Sequence, residues 1–279
     1  MQSYLDKISA LPTPSPVLKR IVSVVANVES SASDIVSALK LDPAIVGRIL
    51  KLANSAYIGM PRTISSLQNA VVLLGVKRIH SLVMATEMIN PLRLGSECPF
   101  TIHDYWRHSI TVAFAAESIA KHLRRYDEID PEEVFSAGLL HDIGKLVLGG
   151  LKAEMTAQLY DQSLRENVAV HKKESGEFTH TRSGALLSEH WNFPLELREA
   201  IEFHHEPSRD CEQYRLVSIV HIADYMAHVL GYSLKQGEPN PELNDEALAS
   251  VQLPLERLRV IAENALIDEQ RIEAIIDLF

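Results

Sequence analysis

The sequence predicts an all-α protein: a multi-helical bundle with an additional helical subdomain at its N-terminal end. Apolar residues recur at helical spacing from end to end, helix-start signals repeat, and runs with strand-like alternation are few. The residues able to carry chemistry are spread widely. His108, His141-Asp142, His180, His204-His205 and Asp224 are separated by 33, 39, 24 and 19 residues, which are helix-plus-loop intervals. One binding loop cannot supply such a set. A bundle whose helices project side chains toward a common centre can.

The elements follow in order. After Pro16, the apolar stripe Val17, Ile21, Val24, Val25 and Val28 predicts a first helix. Asp42-Pro43 supplies an N-cap and a proline at the first helical position, and the second helix runs through Ile45, Ile49 and Leu52. It ends in Ala53-Asn54-Ser55-Ala56, where Asn54 reads as a capping and packing residue between subdomains. Ser65-Ser66 opens a stripe through Leu67, Val71 and Leu74 that Gly75 stops, and a further helix carries Ile79, Leu82 and Val83. The stretch from Asn90 to Phe100 holds two prolines and a glycine without periodicity, so the boundary is placed near residue 100: a helical subdomain over 1–100 and a metal-binding helical subdomain over 101–279.

In the second part, His108 shares a face with Val112, Ala115 and Ile119, so it points where the core does. Asp130-Pro131 repeats the cap-plus-proline start of a helix that runs through Val134 and Gly138 to His141. Gly149 and the polar stretch Leu164 to Glu177 read as a loop-rich segment. Thr179 caps a helix in which His180, Gly184, Leu187 and Trp191 share a face. Leu197, Ile201, His204 and His205 follow Pro194 in the same way, and Val217, Val220 and Asp224 form the next stripe. The tail from Leu253 to Phe279 is amphipathic through Ile261, Leu266, Ile272 and Ile276 and is expected to pack back on the bundle.

Bulk properties narrow the function. At 279 residues with 46% apolar content, the chain can bury one sizeable core or two smaller ones. The mixed polar start from Met1 to Ala10 and the lack of an apolar run of membrane-spanning length predict a cytoplasmic protein that engages no membrane. Cys98 and Cys211 stand alone, which supports neither a disulfide framework nor a thiolate zinc site. A net charge of −10 argues against nucleic-acid partners, and an anionic ligand needs local cations.

The chemical anchor is Gly138-Leu139-Leu140-His141-Asp142-Ile143-Gly144-Lys145, an adjacent His-Asp pair at the polar edge of an apolar segment. Imidazole and carboxylate suit borderline and harder divalent ions, and an aspartate can bridge two of them through its two oxygens. A lone histidine on an apolar face is more often a satisfied core residue, so His108, His180 and Asp224 gain weight from their order rather than singly. The His204-His205 pair is stronger, because two adjacent imidazoles cannot both fill one apolar hole without a polar partner. Lys145, four residues past His141, places an ammonium where a bound phosphate would sit. Arg182 reads as a surface residue. His80, His103, His122, His171, His190, His221 and His228 fit no ligand pattern and read as surface or core residues.

The GLLHDIGK context resembles the HD superfamily of metal-dependent phosphohydrolases. The first half narrows the likeness. Leu41 to Ala44, Arg48 to Ala56, Ile64 to Leu67 and Ala70 to Gly75, with Trp191 to Pro194 and His204-His205, are similar to the HDOD domain of bacterial signalling proteins over roughly residues 11–228. HDOD domains usually lack several metal ligands and act as regulatory or scaffold domains. Here His108, His141, Asp142, His180, His204, His205 and Asp224 match the ligand positions of the related HD-GYP cyclic-dinucleotide phosphodiesterases, and Lys145 matches their basic residue, while the Gly-Tyr-Pro signature is absent. The resemblance implies two divalent transition-metal ions, iron or manganese before zinc, nickel or cobalt, with catalytic roles for Asp142 and Lys145. It implies a nucleotide or phosphoester ligand and a signalling protein partner, or alternatively a non-catalytic signalling or scaffold module whose metal site is structural.

Overall fold

The computed structural model describes residues 2–9, 11, 23–24, 31–54, 63–89, 92–123, 129–266 and 269–276. Of the expected helix through Val17, Ile21, Val24, Val25 and Val28, Val24 is among these residues and is helical, and the other four lie outside them, as do Ser55-Ala56 and Asn90. No strand occurs among the described residues, as the periodicity predicts. The chain divides into two compact units: Leu92–Ile267 with Met1–Leu11, and Pro12–Pro91 with Asp268–Phe279. The division thus falls at Leu92 where the sequence reading placed it near residue 100, and each terminal segment belongs to the unit that the bulk of its half does not form.

The smaller unit begins with α2 (Ala32–Leu39), where Ser31 and Asp34 close a reciprocal capping box. Asp42 caps α3 (Pro43–Ala53) by accepting from the Ala44 and Ile45 amides, and Ile45, Ile49, Leu52 and Ala53 form its buried face. Asn54 ends α3. Its Nδ2 donates to the Leu50 and Ile64 carbonyls at 2.7 Å, and its Oδ1 accepts from the Ile64 amide at 2.6 Å, so this side chain clamps the next segment within one unit rather than bridging two. Gly75, at φ 80°, separates α4 (Leu67–Leu74) from α5 (Val76–Ile89). The expected amphipathic tail is split. Its last helix, α15 (Glu269–Ile276), adds Ile272, Ile275 and Ile276 to the core of this unit.

The larger unit starts with α1 (Gln2–Ser9), whose Tyr4 hydroxyl shares a 2.7 Å hydrogen bond with Ser183 on α10 (His180–His190). The long α6 (Ile102–Leu123) is buried along most of its middle and packs against α7 (Pro131–Leu140), α12 (Tyr214–Val229) and α14 (Leu255–Ala265). Thus the tail's Leu258 and Ile261 return to the bundle as expected. The chain turns at His141-Asp142 and continues as α8 (Ile143–Leu151). Pro131–Leu151 is, by length and composition, apolar enough to cross a membrane, contrary to the sequence reading, but 83% of its most apolar window is buried as core.

The expected loop-rich segment is also partly a helix. Gly149 lies inside α8, and α9 (Ala153–Glu166) extends almost to a 3-10 turn at Val170–Lys172. α9 escaped the sequence reading because it buries only Thr156, Tyr160 and Ser163, so its apolar stripe is thin. α11 (Leu195–Phe203) and α13 (Asp245–Val251) complete the unit.

At one crossing a missing side chain is essential. A Cβ on Gly144 of α8 would fall inside contact distance of the His180 carbonyl oxygen and 2.7 Å from the Gly184 nitrogen, so two glycines let α8 and α10 touch through their backbones. That contact fixes the start of α10, and with it His180.

Candidate metal centre

All seven residues singled out as ligands converge in the larger unit, brought there by five pieces of backbone. His108 comes from the first half of α6, Asp224 from α12, and His180 from the first position of α10, where the Thr179 side chain caps by accepting from the Arg182 amide. His141 and Asp142 occupy the break between α7 and α8, and His204 and His205 follow the end of α11. The pairs therefore sit at helix ends rather than on buried stripes. At a helix end, consecutive side chains can aim at one point, which the 100° step of a continuous helix forbids. His108, His141, Asp142 and His204 are fully buried, and His205 has the most exposed side chain of the seven, at 9%.

The geometry divides the donors into two sets joined by Asp142. Its Oδ2 faces His108 Nε2 at 3.3 Å and His141 Nε2 at 3.5 Å, whereas its Oδ1 faces His180 Nε2 and His204 Nε2, both at 3.5 Å. Asp224 Oδ1 joins the first set, 3.3 Å from His108 Nε2 and 3.7 Å from His141 Nε2. His205 joins the second through Nε2, 3.1 Å from His180 Nε2. Donors bound to one ion at about 2.1 Å stand roughly 3–4 Å apart.

The tautomers make the case stronger. His108 Nδ1 lies 2.8 Å from the Tyr232 carbonyl, His141 Nδ1 2.7 Å from that of Gly138, His180 Nδ1 2.6 Å from Glu174 Oε2, and His204 Nδ1 3.1 Å from the Ala200 and Ile201 carbonyls. Each neighbour only accepts, so each Nδ1 carries the hydrogen, and wherever the ring is neutral its Nε2 lone pair turns inward. Those lone pairs then confront one another, at 3.4 Å for His108 and His141 and 3.3 Å for His180 and His204. Asp142 Oδ1 and Asp224 Oδ1 are buried without a hydrogen-bond partner, whereas Asp142 Oδ2 is met by the Lys145 ammonium at 2.7 Å. Imidazole nitrogens gathered around buried carboxylate oxygens are suited to a cation. These donors form groups that could hold a metal ion, and Asp142 belongs to two of them.

The electrostatics agree. Burial pushes the Asp142 and Asp224 carboxyls up, but Lys145 and His141 around the former and His228, His108 and His141 around the latter outweigh it, holding both well below the usual range. Burial keeps His204 neutral, with its pKa lowered to about 4, and His205 well below 6.5. His108 moves the other way, to about 9: burial opposes protonation, but Asp142 and Asp224 overcome it, so a proton there takes the part of a cation.

Several expectations need correction. Lys145 is not on one helix with His141, since the chain breaks between them. Its Nζ lies 2.7 Å from Asp142 Oδ2, with 6% of the side chain exposed, so the ammonium sits against the bridging carboxylate and burial does not discharge it. Arg182 is a surface residue as expected, near Glu202. Among the histidines left aside, His221 is a satisfied core residue: its Nδ1 meets the His204 carbonyl at 2.6 Å and its Nε2 accepts from the Asn244 amide at 2.9 Å. His171 and His228 are not remote. The first stacks on His205 with ring centres 4.0 Å apart, and the second lies 3.5 Å from Asp224 Oδ1. The spacing of Asp224 and His228, one helical turn apart, was a readable signal for the second. Nothing in the sequence marked Glu174 as the acceptor for His180.

Comparison with known proteins places this centre in a family. The HDOD domain model matches residues 11–207. An uncharacterized protein of Treponema pallidum (strain Nichols) is 27% identical over 225 residues, covering 80% of this chain, which spans only 43% of that relative's length. The crystal structure of an HDOD domain protein of unknown function from Geobacter sulfurreducens superposes with a TM-score of 0.80 at 22% identity, covering 100% of this chain and 96% of the other. A Shewanella amazonensis protein provisionally named a phosphohydrolase superposes at 0.75 and 23% identity, over 99% and 97% of the two chains. These likenesses establish a shared all-helical fold, and the match over 11–207 establishes the rest: the chain belongs to the HDOD family.

Proposed function

We propose that this protein is a bacterial HDOD signalling protein that retains a dinuclear metal centre and uses it as a metal-dependent phosphohydrolase on a nucleotide or another phosphoester. The observation that carries the reading is the shared carboxylate, with Asp142 Oδ1 turned to one set of imidazoles and Oδ2 to another. Two divalent ions supply Lewis acidity toward phosphoryl oxygens and activate a water as nucleophile. The chain's part is to hold the donors. Asp142 divides its oxygens between the sets, Glu174 and four backbone carbonyls fix the ring tautomers, and Lys145 brings a buried positive charge beside the shared group. The provisional name of the Shewanella protein points the same way.

One observation favours a second reading. Six of the seven ligands are at most 1% exposed, a degree of closure suited to a structural site inside a signalling module that receives a protein partner. The discriminating experiment is metal analysis of the purified protein followed by assays on cyclic dinucleotides, nucleotides and generic phosphoesters with added manganese or iron. Turnover that Asp142→Ala abolishes supports the hydrolase. Two bound ions without turnover across the panel leaves the signalling module, and the absence of metal overturns both.

A further inference from the structure

His228 is the polar group that the centre described above leaves unexplained. It is 8% exposed, lies on α12 one turn beyond Asp224, and packs edge-on against His108 with ring centres 5.3 Å apart. A core histidine in this position should satisfy both ring nitrogens, as His221 does seven residues earlier on the same helix. His228 does not. Its Nδ1 is buried without a partner, and its Nε2 faces only Asp224 Oδ1, 3.5 Å away, an oxygen that itself lacks a hydrogen bond. His108, Asp224 and His228 each offer one donor atom within 4.8 Å of the others, close enough that they could gather round one ion.

From this geometry we infer that His228 is a further metal ligand, completing the first metal position beside His108, His141, Asp224 and Asp142 Oδ2. The inference rests on the dinuclear reading and gives it an asymmetry. The first position is caged by three imidazoles and two carboxylate oxygens, whereas the second has His180, His204, His205 and Asp142 Oδ1. A six-coordinate ion in the first retains one free position and in the second two. The second position, bordered by the more exposed His205 and by His171, is the exchangeable one and the one with room for a phosphoryl oxygen together with a water.

The test uses the full chain, stripped with chelator and titrated with cobalt(II), read by bound cobalt and by the cobalt visible spectrum. The wild type takes up two ions in two steps. His228→Ala weakens one step at least tenfold, alters the spectrum of that step and leaves the other unchanged, while His180→Ala weakens the other step. His228→Gln, which keeps a polar side chain of similar bulk, serves if the alanine variant fails to fold. The cobalt-loaded wild type gives an independent readout, with paramagnetically shifted ring N–H signals from six histidines. Unchanged affinities and spectrum in the folded variants, or shifted signals from only five histidines, overturn the inference while leaving the dinuclear centre in place. A wild type that binds no cobalt overturns the centre itself.

Discussion

Replacing Gly144 with alanine tests whether the backbone contact between α8 and α10 sets the metal geometry. An added Cβ would stand 2.7 Å from the Gly184 nitrogen and the His180 carbonyl carbon, and closer still to the carbonyl oxygen. Ordinary contact begins near 3.4 Å, so the helices must part by at least about 0.7 Å, and no side-chain rotation can relieve a clash between backbones. Overpacking of this kind costs about 1–3 kcal/mol, against which alanine regains roughly 1 kcal/mol of helix preference. A net loss of up to about 2 kcal/mol lowers the melting temperature by up to about 4–8 °C. Because the displaced atom belongs to His180, metal affinity at the second position should also fall, by roughly ten- to a hundredfold as for lost support of a ligand. Gly47 supplies the control. It lies in α3 with nothing within 4 Å of its added Cβ, so Gly47→Ala should stabilise by up to about 1 kcal/mol. Thermal melts and cobalt titration read both variants. Wild-type stability and affinity in Gly144→Ala, or equal losses in both variants, would refute the reasoning.

Glu174→Gln removes the anionic acceptor of His180 Nδ1 and should weaken one metal step by about ten- to a hundredfold with little change in the other; equal weakening of both counts against the division into sets. Lys145→Met strips the buried countercharge from Asp142 and should cost the metal-free protein about 3–5 kcal/mol in urea unfolding, with a smaller loss once manganese is bound; equal losses would show that ion and ammonium do not share Asp142. Metal-free stability should peak near pH 6.5. Below that value the unfolded chain binds protons that His204, held at about 4, and His228, held at about 3, refuse, so stability falls by about 1.4 kcal/mol per pH unit for each. Above it the folded state keeps the His108 proton up to about 9 while the unfolded chain has lost it, so stability falls again. A curve that climbs steadily toward acid or toward base contradicts these assignments.

The all-helical fold was legible because long helices such as α6 and α12 carry wide apolar stripes, and caps such as Asp42, Asp130 and Thr179 marked their starts. Three features were not legible. α9 buries too few side chains to write a period, the tail helices Leu255–Ala265 and Glu269–Ile276 look alike in sequence yet serve different units, and the close approach at Gly144 and Gly184 is a property of two helices together. Composition records what a helix buries, and not which helix it meets.

The candidate site shows the same boundary from the side of chemistry. Which polar residues gather in the core was readable because buried His and Asp are costly in a helical core unless something binds them. Orientation was not: His108 depends on the Tyr232 carbonyl, 124 residues away, and His180 on Glu174, which is near in sequence but lies on no helix whose period could have aimed it. Lys145 shows how this misleads. Read as part of one helix with His141 it faces an incoming phosphate, but the break at His141-Asp142 turns it onto Asp142 Oδ2. A cation bound at that oxygen competes with the ammonium for the same lone pairs. Lys145 is thus an internal countercharge for Asp142, and on the proposed reading it would serve a bound phosphate only once a metal ion had taken over that oxygen.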